Sequence, residues 1–131
     1  MTRISRTMVA LVLIGAVTAV VSPAAQAKGT SITATLKAGT AFPAVTGKAK
    51  FTHEATNREV EVQIEHARPL AGKRLTVFVA GTKVGTMVVG KLGNANLNRS
   101  TQAGQTVPRV TAGDGVSVRT AAGVVVAKGK F

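Results

Sequence analysis

The sequence predicts an all-β fold: a single antiparallel β-sandwich of about seven or eight short strands, immunoglobulin-like in size, behind a cleaved N-terminal signal peptide. Two observations predict it. Past residue 27 the apolar residues recur with a period close to two, with no stretch at the i, i+3, i+4, i+7 spacing of an amphipathic helix. Gly and Pro then punctuate the chain between those runs, at Gly39, Gly47, Gly72, Gly81, Gly90, Gly104, Gly113 and Gly123, and at Pro43, Pro69 and Pro108.

The leader comes first. Arg3 and Arg6 precede an apolar run from Met8 to Val21, and Ala25-Gln26-Ala27 supplies the small-x-small triplet of a cleavage site. The run is shorter than the roughly 20 residues that a membrane span needs. Cleavage is expected after Ala27, leaving residues 28–131 as the β domain with no transmembrane segment. The address this implies is secretion, or the periplasm and cell envelope, through a Sec-type signal.

The strands come next, in order. Ile32, Ala34 and Leu36 alternate with Thr33 and Thr35. Ala49 and Phe51 alternate with Lys48, Lys50 and Thr52, and Val60, Val62 and Ile64 alternate with Glu59, Glu61, Gln63 and Glu65. These two runs make a hairpin in which Phe51 opposes Val60 or Val62, so that Lys48 and Lys50 face acids or Gln63 on the outer side. Leu75 to Ala80 and Val84 to Val89 are apolar on both faces and read as central strands. Ala95 and Leu97 lie between outward asparagines, and Val116, Val118 and Val124 to Ala127 complete the set. Val60, Val62, Ile64, Val77, Val79, Val116 and Val118 are expected to be buried, and Phe51 and Phe78 to serve the core.

Composition narrows the chemistry. The chain has no Cys, which removes disulfides, thiol catalysis and Cys-ligated metals. His53 and His66, flanked by Glu54 and Glu65, fall at opposite ends of the hairpin, too far apart for one metal sphere, and no metal or cofactor is expected. Gly81-Thr82-Lys83-Val84-Gly85-Thr86 lacks the spacing and the following helix of a phosphate loop and reads as a hairpin turn between two apolar strands. Gly113-Asp114-Gly115 offers one carboxylate, too few for calcium, and is also a turn. Ser117 lies in a plain strand pattern without a nucleophile elbow. No catalytic residue is assigned and the protein is expected not to be an enzyme; the rival is a small secreted hydrolase using a His with Glu or Ser. A third class is a structural module that self-associates through open sheet edges.

Charge is the remaining lever. Lys and Arg number 17 against 5 acidic residues, and loss of Arg3 and Arg6 with the leader lowers the formal +12 by only two. Such an excess suits an acidic envelope or extracellular polymer. With no Trp or Tyr to stack on bases or sugars, specific nucleic-acid binding and lectin-like recognition are not expected. The predicted polyanion contacts are the basic residues without an acid on a neighbouring strand: Lys73, Arg74, Lys128 and Lys130. Lys37, Lys83, Lys91 and Arg109 read as scattered basics. The oligomeric state is left open.

Residues Ala34-Thr35-Leu36, Phe42 to Phe51, Val60 to Ile64 and Leu70-Ala71-Gly72 together resemble the opening of chordin-type (CHRD) domains, over residues 31–72 only. The resemblance implies a secreted β-sandwich module. Thr76 to Ala80 stands where that family carries a His-containing segment. The rest of the chain is similar to small exported β proteins.

Overall fold

The computed structural model describes residues 29–131, so the expected leader and the expected cleavage after Ala27 lie outside the described residues. Eight strands are present: β1 (Thr30–Ala38), β2 (Thr46–Glu54), β3 (Asn57–Glu65), β4 (Arg74–Val79), β5 (Thr82–Val88), β6 (Ala95–Ser100), β7 (Gly115–Thr120) and β8 (Val125–Lys130). Two 3-10 turns, Arg68–Leu70 and Thr101–Ala103, are the only helical elements among the described residues. No helix there is long and apolar enough to cross a membrane.

The all-β, antiparallel expectation is met. The strands form one continuous sheet, in the order β5-β4-β7-β8-β1-β2-β3-β6, curled into a nearly closed barrel. The strands therefore surround one core instead of splitting into two facing sheets. Curling is what a twisted sheet of this width does to bury its apolar face, and eight strands leave an interior that side chains alone can fill. The seam lies between β5 and β6. There Arg99, on the inward face of β6 opposite Val60, donates from Nε to the Val84 carbonyl at 3.2 Å. The Val84 to Val89 run, read as a central strand, is thus an end strand of the sheet; Val84, Met87 and Val89 are buried in the core, while Val88 is exposed.

The alternating apolar residues form the core, as expected. Val60, Val62, Ile64, Val77, Val79, Val116 and Val118 are all buried. Phe51 pairs with Val60, and Lys48 and Lys50 pair with Gln63 and Glu61. Phe78 is the exception: it is half-buried on the outer face of β4, not in the core. Two irregularities in the ladders decide which side chains point outward. Between β4 and β5, Val77 pairs with Gly85 and Phe78 with Lys83, leaving Val84 as the extra, buried residue of a bulge. Between β7 and β8, Val118 pairs with Ala127 and Arg119 with Val125, so Val126 is extra and both Val126 and Ala127 point inward. Each bulge resets the alternation, which keeps Lys83 and Lys128 on the outside.

The long connection from Gly104 to Asp114 closes one end of the barrel with Val107 and Val110, both buried. It is tied down by Arg58, whose Nε donates to the Val107 carbonyl at 2.9 Å. Asn57 Oδ1 accepts from Ser100 Oγ, Thr101 Oγ1 and the Gln102 amide, all within 3.0 Å, and fixes the turn that leads into this connection.

Candidate basic groove

Strand order decides the electrostatics of the surface. Neither β5, β4, β7, β8 nor β1 contains an Asp or Glu, and all four glutamates lie on β2 and β3. The fifth acid, Asp114, sits just before β7, where its Oδ2 accepts from the Thr111 amide at 2.9 Å. On the outer face of the five acid-free strands the ladder pairs run Lys83, Phe78, Ser117, Lys128 and Lys37, one from each strand. Arg119 and Lys130 flank this row on β7 and β8, and Arg74 lies further along β4.

Within that face is a groove of about 590 Å³, lined by the side chains of Lys37, Phe78, Arg119, Lys128 and Lys130. Its floor is short of side chains because glycines interrupt the strands there. A Cβ built on Gly115, which lines the groove, would meet nothing nearer than the Gly129 carbonyl oxygen at 3.9 Å. The Arg119 guanidinium lies over the Phe78 ring, 5.5 Å from its centre. Such a pair is worth about 0.5–1 kcal/mol at an exposed site and holds both groups at the groove wall.

Of the four predicted contacts, Lys128 and Lys130 line the groove and the other two do not. Arg74 shares the outer face but stands four residues from Phe78, roughly 13 Å along an extended strand. Lys73 lies in the connection before β4, its carbonyl accepting from the Val89 amide. Lys37 and Lys83, read as scattered basics, belong to the face. Sequence reasoning missed Lys37 and Arg119 because their neighbours come from strands distant in the chain. Outward parity was visible for both, but the pairing of Lys37 with Lys128 was not.

The groove is lined by no His and no carboxylate, and the ladder partner of Ser117 across β7 and β8 is Lys128. His53 pairs with Arg58 at the hairpin turn, while His66 lies beyond the other end of β3, its Nδ1 3.1 Å from Thr46 Oγ1. Among the described residues no three His, Cys, Asp or Glu side chains gather where they could hold a metal ion. No family model and no curated protein matches this chain.

Proposed function

We propose that this protein is an exported, non-catalytic β module that binds an acidic envelope or extracellular polymer through the outer face of β5, β4, β7, β8 and β1. The observation that carries the reading is the segregation of charge. Six cations, Lys37, Arg74, Lys83, Arg119, Lys128 and Lys130, share five strands that hold no carboxylate. Interspersed lysines that merely keep a surface wet would not sort this way against four glutamates on the two neighbouring strands. A one-signed face raises the local concentration of a polyanion and steers it to the surface, with an attraction that salt screens over roughly 10 Å. The basic leader and short apolar run support export, and the chordin-type likeness of residues 31–72, which fall on β1 to β3 and the turn after them, supports a secreted β module.

Retention on a sulfated polysaccharide resin tests this. Changing Lys37, Arg119, Lys128 and Lys130 to Gln removes four charges from one place; changing Lys48, Arg68, Lys91 and Arg109 to Gln removes four from elsewhere. At roughly 0.5 kcal/mol per exposed contact, the first variant loses about 2 kcal/mol, some thirtyfold in affinity at low salt, and the second much less. Equal loss from the two variants would mean a diffusely basic surface and would overturn the localised reading.

A further inference from the structure

We propose that the groove walled by Phe78 is a binding site for an aryl anion: a planar aromatic group carrying a phosphate, sulfate or carboxylate. The inference rests on the basic face being a binding surface and adds what the ligand must look like. A polyanion without an apolar part is satisfied by charge alone and makes no use of the Phe78 ring beyond its contact with Arg119. Yet Phe78 is placed outward, where β4 otherwise carries Arg74 and Thr76, and it is one of only four Phe in a chain with no Trp or Tyr. Its ring forms an apolar wall among four cations, with Ala38 and the open backbone at Gly81 and Gly115 also lining the groove.

The dimensions select the ligand class. A volume of about 590 Å³ is in the range of small-molecule sites, which run from roughly 300 to 1,000 Å³. Lys128 is two strands from Phe78, about 10 Å across the sheet at the usual strand spacing. A ring stacked in offset fashion on Phe78 therefore places an attached acid group within reach of the flexible Lys128 and Lys37 ammonium groups. Arg119, already over the Phe78 ring, offers a second planar surface and a further charge to the same ligand. Among the residues lining the groove Phe78 alone is aromatic, so an aryl group gains stacking there that an alkyl chain does not.

The probe is 1-naphthyl phosphate, titrated into the purified protein and read by naphthalene emission, which no Trp or Tyr of this chain obscures. It is expected to bind at least tenfold more tightly than inorganic phosphate or decyl phosphate. Phe78→Leu, which keeps apolar volume but removes the ring, should weaken it about tenfold. Gly115→Leu fills the groove from a position where a Cβ has room, and should weaken it by at least as much without lowering the melting temperature or the salt needed to elute the protein from the sulfated resin. Equal affinity for naphthyl and inorganic phosphate, tighter binding of decyl phosphate, or indifference to both substitutions would each overturn the aryl assignment. If naphthyl phosphate binds and Gly115→Leu blocks it while the four lining cations prove dispensable on the resin, the polymer reading fails and the groove stands. If the resin result holds and naphthyl phosphate does not bind, the groove fails and the face stands.

Discussion

Three non-glycine residues carry a positive φ: Ala55 at 52°, His66 at 62° and Ala80 at 51°. For an L-residue this conformation costs about 1–2 kcal/mol, because Cβ crowds the following carbonyl. Ala55 is the simplest of the three, exposed in the two-residue turn between β2 and β3. Glycine there removes the crowding and returns part of the gain as unfolded-state entropy. Ala55→Gly is therefore expected to stabilise the protein by about 0.5 kcal/mol in a denaturant melt, with no change in ligand retention. Ala80 precedes Gly81 in the turn from β4 to β5 and so helps place Lys83 opposite Phe78.

Among the elements, the two ladders flanking β8 control whether the basic groove exists. A Cβ on Gly129 would run into the Thr35 carbonyl oxygen, a backbone atom that cannot move without shifting β1. Gly129→Ala should therefore push β8 from β1 and cost about 2–3 kcal/mol. Gly115→Ala, in the adjoining strand but facing open space, should be nearly neutral by the same thermal melt. On β3, Val62 is fully buried between Ala49 and Leu97 in the ladder. Val62→Asp places an unpaired charge in that core and is expected to cost about 4 kcal/mol, a large part of the stability of a small domain, read as a far lower urea midpoint.

At the scale of the whole molecule, two properties are expected together. Export should release a chain beginning at Lys28, and intact mass of secreted material measures this directly; a mass that includes residues 1–27 would show that the leader is retained as an anchor. Far-UV circular dichroism of the released chain should then report strand and almost no helix, matching eight strands and two single-turn 3-10 segments. The nearly closed barrel has one seam, where the Arg99 guanidinium occupies the space in front of Gly85 and reaches the Val84 carbonyl. This turns the two end strands toward each other, an arrangement that reduces the free edge otherwise open to self-association.

The strands, most of the buried set and the facing parity of the β2–β3 hairpin were determined by the sequence itself, because alternation is local and a one-residue slip would have exposed Val60, Val62 and Ile64; the structure decided that Phe51 meets Val60 and not Val62. The total positive charge was equally plain. Only the tertiary structure decided that β1 adjoins β8 and β7 lies between β4 and β8, since such pairings join strands far apart in the chain and leave no local mark. The same holds for the choice of one curled sheet over two packed ones, which depends on how all eight twisted strands close together. That long-range order is also what carried Lys37 and Arg119 to Lys128 and Lys130, left Lys73 outside, and turned Phe78 from an expected core residue into the wall of a groove.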